Sequence, residues 1–290
     1  MLKGVNAMDL MMPATDRASI DYHYFIRGRL PEWDDNLADC ASLSQIVRNS
    51  SLCHQDISYG NLSRQVMDIF PSGKDQQNQS VLIFLHGGYW RMMDKSQFSF
   101  IAPPFTSMGV TVVLVNYRLL PYVTLANIVE DACGAVDWII HNIEGFVGKV
   151  ENFIVCGHSA GAHLAAHVAS NTPAIAGIVG ISGVYDLEPL ANSFLNEIGF
   201  LDQSVIDAYG INALRPENPC SGLFAYGASE GVEFARQSDV IAKRWKNQPS
   251  PVKQLILDAN HSTSVIQLGE DRSPLFKAMM KFIQRAGVVT

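Results

Sequence analysis

Phe153-Ile154-Val155-Cys156-Gly157-His158-Ser159-Ala160-Gly161-Ala162 is an apolar run of strand length that stops at a glycine and passes, through G-x-S-x-G, into a helix of small residues over Ala162 to Ala169. A turn this tight between strand and helix strains the backbone at Ser159, and the glycines two residues to either side leave room for neighbouring backbone. The serine hydroxyl is thereby lifted clear of the sheet. It also sits near a helix N-terminus, where unpaired N–H groups and the helix dipole favour developing negative charge.

A second glycine motif stands upstream, where His86-Gly87-Gly88-Tyr89-Trp90 directly follows the apolar run Val81-Leu82-Ile83-Phe84-Leu85. Each motif lies where a strand would end, in the order of an oxyanion loop followed by a nucleophile turn. From Val81 onward, short apolar runs alternate with amphipathic stretches, the pattern of a parallel sheet covered on both faces. Strands are expected at Val81–Leu85, Val110–Tyr117, Phe153–Gly157, Ile175–Ile181, Leu223–Gly227 and Gln254–Leu257. An antiparallel hairpin, Gln55–Tyr59 with Arg64–Phe70, is expected at the sheet edge. Thr124 begins a helix with Ile128, Ala132 and Val136 on one face, and another helix runs from Pro274 to Arg285. Residues 185–221 break the rhythm with Pro189, Pro216 and Pro219, and read as a small cap insertion with a helix around Asn192–Phe200. The fold class is α/β, an α/β-hydrolase fold with a mostly parallel central sheet and helices on both faces. A single domain over 1–290 is expected, with 1–20 a candidate disordered end.

The chain has 290 residues, 48% of them hydrophobic and 17% charged, which is ample material for a buried core. A net charge of −7 without a dense Lys/Arg run argues against nucleic acid or an anionic membrane as partner, and for a small-molecule substrate. The five cysteines, Cys40, Cys53, Cys133, Cys156 and Cys220, form no C-x-x-C pair, so reduced thiols in a cytoplasmic setting are expected. Asp9 and Pro13 interrupt the N-terminal apolar stretch, so a secretory signal is not expected.

A serine hydroxyl is a poor nucleophile near neutral pH, so a base must take its proton and a third group must hold that base in the productive tautomer. In this fold the chain order is Ser, acid, His. His163 and His167 fall on the nucleophile helix, which leaves His261, after the last strand, as the base. The acid is Glu230, at the end of the penultimate strand, with Asp186, Glu233, Asp239 and Asp258 as rivals. Oxyanion donors are the backbone N–H groups of Ala160 and of the loop at Gly87, Gly88 and Tyr89. His86 is read as bracing that loop. Tyr89, Trp90, His158 and Tyr185 are candidates for the substrate pocket, with core packing the alternative for Trp90. The i, i+4 spacing of His163 and His167, with His158 nearby, could hold a metal, but no third ligand is indicated, and histidines satisfied within the core are the favoured reading.

These motifs, together with Asp94-Lys95-Ser96, Gly161-Ala162-His163-Leu164, Glu233-Phe234 and Arg236-Gln237-Ser238, resemble those of the serine-hydrolase type of kynurenine formamidase, or arylformamidase, in the α/β-hydrolase superfamily. The resemblance covers most of the chain from about Tyr22. It implies hydrolysis of N-formyl-L-kynurenine to L-kynurenine and formate in tryptophan catabolism, with no metal or organic cofactor, Ser159 as nucleophile and His261 as base, and it suggests a homodimer. The family usually has aspartate at the acid position, where this chain has Glu230. A carboxylesterase or other small-molecule amidase with the same machinery, and a non-catalytic binding protein of the same fold, are the alternatives.

Overall fold

The computed structural model describes residues 11–12, 16–73, 79–216, 218–246 and 250–286. Its strands are β1 (His54–Ser58), β2 (Val66–Phe70), β3 (Gln79–Leu85), β4 (Val110–Val115), β5 (Val150–His158), β6 (Ile175–Ile181), β7 (Ser221–Gly227) and β8 (Val252–Leu257). They form one sheet in the order β1-β2-β4-β3-β5-β6-β7-β8. β1 pairs antiparallel with β2, and β2 with β4; every other pairing is parallel. The expected edge hairpin is therefore present. β4 stops two residues short of the sequence-based limit, since the Asn116 side chain receives the Lys95 N–H and the Tyr117 hydroxyl turns to the His86 carbonyl.

Helices α1 (Arg17–Tyr24), α2 (Ile26–Arg29) and α3 (Trp33–Ser50) precede the sheet. α4 (Ala102–Ser107) joins β3 to β4, α5 (Leu125–Asn142) and α6 (Glu144–Val147) join β4 to β5, and α7 (Ala160–Asn171) joins β5 to β6. α8 (Glu188–Ala191) and α9 (Gln203–Tyr209) lie between β6 and β7, α10 (Val232–Trp245) between β7 and β8, and α11 (His261–Ile266) and α12 (Pro274–Ala286) after β8.

Period-two alternation along each strand divides the core between the two faces. Val81, Ile83 and Leu85 of β3 pack with Ile128, Leu164, Phe234 and Trp245 of α5, α7 and α10. Leu82 and Phe84 point the other way, to Phe105 of α4 and to Leu275, Met279 and Ile283 of α12. Burial on both faces is why these strands are continuous apolar runs. No helix among the described residues is long and apolar enough to cross a membrane.

Two expectations are corrected, and two helices are added. Of the stretch read as a disordered end, residues 1–10 and 13–15 lie outside the described residues, while Arg17–Ile20 begin α1, capped by the Asp16 carboxylate on the Ser19 N–H at 2.9 Å. The cap has no helix over Asn192–Phe200: α8 ends before it, and only a 3-10 turn, Phe194–Asn196, follows. Ser193 and Asn192 cause the break, since their side chains bond the Leu195 N–H and the Glu188 carbonyl and compete with a continuing helix. Helices α3 and α10 are absent from the sequence-based reading. Only Cys40 and Ser44 of α3 are buried, so it has no apolar stripe to announce it.

Candidate active site

Ser159 links β5 to α7 at φ 55° and ψ −122°, a conformation costing a non-glycine residue about 1–3 kcal/mol. Two hydrogen bonds hold it: Ser159 N donates to Ile181 O at 2.9 Å and Ala162 N to Ser159 O at 3.0 Å. The turn also needs Gly161, because a Cβ there would lie 2.0 Å from the Leu85 carbonyl oxygen. Sheet and helix thus close on the serine from both sides.

The loop after β3 reverses on left-handed residues, Gly88 at φ 104°, Tyr89 at 48° and Trp90 at 59°. A side chain at Gly88 would meet the Met92 carbonyl. The N–H groups of Gly88, Tyr89 and Ala160 have no acceptor among the described residues, and Gly88 and Tyr89 line the same cavity as Ser159. Gly87 is packed directly against His158 and Ser159. His86 is buried behind the loop, with its Nδ1–H on the Gly87 carbonyl at 2.8 Å, its carbonyl accepting from Tyr117 at 2.6 Å, and its ring stacked on Tyr117. Burial pushes its pKa down to about 4, so it is a neutral brace.

His261 opens α11, where Asn260 caps the N–H groups of Ser262 and Thr263 at 3.0 Å and donates to Glu32 at 2.7 Å. Its Nδ1 lies 2.6 Å from Glu230 Oε2. The other carboxylate oxygen accepts from Gly227 N at 2.5 Å and from Ser182 Oγ at 2.6 Å. Glu230 ends a 3-10 turn after β7, and its carboxylate folds back toward the strand end. That fold-back takes up the methylene by which a glutamate is longer than an aspartate. The rivals are placed elsewhere: Asp186 and Glu233 pair with Arg236, Asp239 with Lys243, and Asp258 is exposed.

Ser159 and His261 line one cavity of about 220 Å³, though no hydrogen bond joins them. Catalytic hydrogen bonds without substrate are commonly long or misaligned. Tyr89 and His158 line the cavity as well. His158 Nε2 donates to the His261 carbonyl at 2.9 Å, which ties the serine turn to the start of α11; burial, then the neighbouring His261, holds its pKa well below the usual range. Trp90 and Tyr185 do not line the cavity. Trp90 is fully buried against His163, and Tyr185 packs on Phe224, so both are core residues.

The wall missed from sequence comes from before the sheet and from the cap: Tyr24, Phe25, Trp33, Phe194 and Leu195, with Met92 from the loop after β3. The Trp33 ring stacks 6.3 Å from His261 and Phe234 lies 4.6 Å from it on another side. Tyr24 is anchored by its hydroxyl to Glu233 at 2.5 Å and by Gln237 Nε2 at 2.8 Å. The Glu233-to-Ser238 motif thus serves to hold α1 over the site. The Asp94-Lys95-Ser96 motif is a strut, with Lys95 Nζ 2.7 Å from both Asp56 and Asp68. His163 and His167 both direct Nε2 at the Tyr209 carbonyl, at 2.8 and 2.9 Å, and among the described residues no cluster of three metal-ligating side chains occurs.

The family model described as BD-FAE matches residues 67–254, from β2 into the first half of β8. This chain belongs to the BD-FAE family. The kynurenine formamidase of Danio rerio is 27% identical over 244 residues, covering 80% of this chain and 82% of that protein. That of Salmo salar is 30% identical over 196 residues, covering 63% of this chain and 65% of its own. The likeness to kynurenine formamidases read from the motifs therefore holds along most of the BD-FAE chain. Among solved structures, a Silicibacter sp. TM1040 protein provisionally described as a thioesterase superposes with a TM-score of 0.79 at 24% identity, covering 90% of this chain and 98% of that one. The fold is that of the α/β-hydrolases.

Proposed function

We propose that this chain is a serine hydrolase that cleaves the formamide of N-formyl-L-kynurenine, or a close aryl formamide, to L-kynurenine and formate through a formyl-serine. One arrangement carries the chemistry: a serine on a strained turn and a histidine held by a buried carboxylate face the same cavity, beside free backbone donors. The choice of an aryl formamide rests on the kynurenine formamidase relatives.

Glu230 accepts from His261 Nδ1–H, which leaves Nε2 unprotonated and able to take the Ser159 proton as Oγ attacks the formyl carbon. The carbonyl electrons move to oxygen, and the N–H groups of Gly88 and Ala160, with Gly87 and Tyr89 in the same loop, receive the oxyanion. Each such donor is worth about 2.7–4 kcal/mol in the transition state. His261 returns the proton to the aryl nitrogen as the C–N bond breaks. A water, deprotonated by the same imidazole, then attacks the formyl-serine and releases formate.

Turnover of N-formylkynurenine should exceed that of short aryl esters, and Ser159→Ala should lower kcat by on the order of 10⁶ in a folded protein. Preference for the esters would make the chain a carboxylesterase with the same machinery. Failure of a fluorophosphonate to label Ser159 would remove the nucleophile assignment itself.

A further inference from the structure

The cavity before Ser159 is walled largely by aromatic and aliphatic groups, and its charged lining is one-sided. Arg27 and Arg91 are among its lining residues and no carboxylate residue is, in a chain whose net charge is −7. The two arginines differ. Arg27 is exposed and already paired, with Asp34 Oδ2 at 3.2 Å. Arg91 makes no ion pair among the described residues: one Nη donates to the Leu195 carbonyl, the guanidinium lies 5.0 Å from the centre of the Phe200 ring, and the buried Nε has no acceptor. The acid nearest in influence, Glu197, reaches instead toward Arg17 at 4.0 Å.

A cation partly withdrawn from water without an ion pair is costly, and a neutral carbonyl does not offset it. If Arg91 only clamped the cap to the oxyanion loop, a neutral donor would serve. Its backbone also fixes where the charge stands, because Arg91 N donates to Gly88 O at 2.9 Å at the close of the oxyanion loop. The backbone of Arg91 is thus fixed at the close of that loop, the guanidinium is held by the Leu195 carbonyl and the Phe200 ring, and such a group suits a carboxylate.

We propose that Arg91 is a specificity-determining residue that receives a carboxylate at the end of the substrate remote from the scissile carbonyl, so that the cavity selects anionic aryl amides or esters over neutral ones of similar shape. At about 220 Å³ the cavity is smaller than the roughly 300–1,000 Å³ of sites for drug-sized ligands, which suits one substituted ring. This rests on Ser159 being the nucleophile in this cavity, but not on the leaving group being an aryl amine.

The test compares 4-(2-formamidophenyl)-4-oxobutanoate with neutral 2-formamidoacetophenone, and the same two carbon skeletons as aryl acetates, on wild-type enzyme, Arg91→Gln and Arg91→Lys. The ratio of kcat/KM for the carboxylate over its neutral partner should fall about tenfold to a hundredfold in Arg91→Gln, mostly through KM, as expected for loss of a charged hydrogen bond. Arg91→Lys should recover part of it, and 0.5 M salt should shrink the wild-type ratio. An unchanged ratio in Arg91→Gln, including an equal loss on both partners, overturns the proposal and leaves Arg91 a clamp. If the wild type turns over the acetates and neither formamide, the aryl-formamide reading fails while the Arg91 ratio is still read on the acetates.

Discussion

Glu230→Gln keeps the shape of the side chain and removes its charge, and the hydrogen bonds around it dictate which way the new amide must face. The Gly227 N–H points at Oε1 from 2.5 Å, so an amide nitrogen placed there would set donor against donor. The amide oxygen must therefore occupy the Oε1 position, where it also keeps the Ser182 hydroxyl bond. The amide NH₂ then faces His261 Nδ1 from the Oε2 position, 2.6 Å away, and Nδ1 becomes the acceptor. The imidazole proton moves to Nε2, which can no longer take a proton from Ser159. Imposing the wrong tautomer on such a histidine costs about 10⁴ in kcat, or about 5 kcal/mol at 1.36 kcal/mol per tenfold. Steady-state turnover of N-formylkynurenine at pH 7.5 measures it, with thermal unfolding to show that the variant is folded. Asp258→Asn, at an exposed position, is the control and should change kcat by no more than about twofold. A folded Glu230→Gln variant within tenfold of wild type would refute the tautomer argument and the assignment of Glu230 with it.

Lys95→Met removes a buried cation from Asp68, whose side chain is fully buried, and leaves Arg48 and the Asp56 N–H as its remaining partners; a loss of about 3 kcal/mol is expected, read by urea unfolding, and a loss below about 1 kcal/mol would contradict the strut. Gly161→Ala places a methyl 2.0 Å from the Leu85 carbonyl oxygen, where only backbone can yield, so it should lower Tm or prevent folding; a variant with wild-type Tm and activity would contradict the close approach at the serine turn. Burial depresses the pKa of His86 and of His167 to about 4. Above pH 6.5 these histidines are neutral in both folded and unfolded chains and contribute no pH dependence. Between about 6.5 and 4 the unfolded chain binds more protons, so each should remove up to about 1.4 kcal/mol of stability per pH unit as pH falls. Denaturation midpoints at pH 7.5, 6 and 5 should decline in that order, and a flat profile would contradict it.

Ser159 and His261 were legible because their signals are local: a glycine spacing at the end of one apolar run, and a histidine just after another. The sheet was legible for the same reason, as burial on both faces turns strands into uninterrupted apolar runs. Glu230 was legible by position, but not by partners, because its carboxylate is held by Ser182, 48 residues away, and by His261, 31 residues away. Tyr185 was read towards the pocket, and Trp90 left open between pocket and core, because an aromatic beside a motif reads the same in sequence whether it turns to the cavity or the core.

The amino-acid sequence by itself determined the parallel sheet, the serine turn and the two motifs at its strand ends, since each depends on neighbours within a few residues. Only the tertiary structure decided the cavity. Tyr24 and Trp33 arrive from helices before the sheet, Phe194 and Leu195 from the cap, and Arg91 lines the cavity with no ion pair among the described residues. Those residues meet because α1 is pinned to α10 by Tyr24 on Glu233, 209 positions apart, and the α11 turn is pinned to the residue before α3 by Asn260 on Glu32, 228 positions apart. Contacts of that span leave no periodicity or spacing in the chain, because they are set by how whole elements pack.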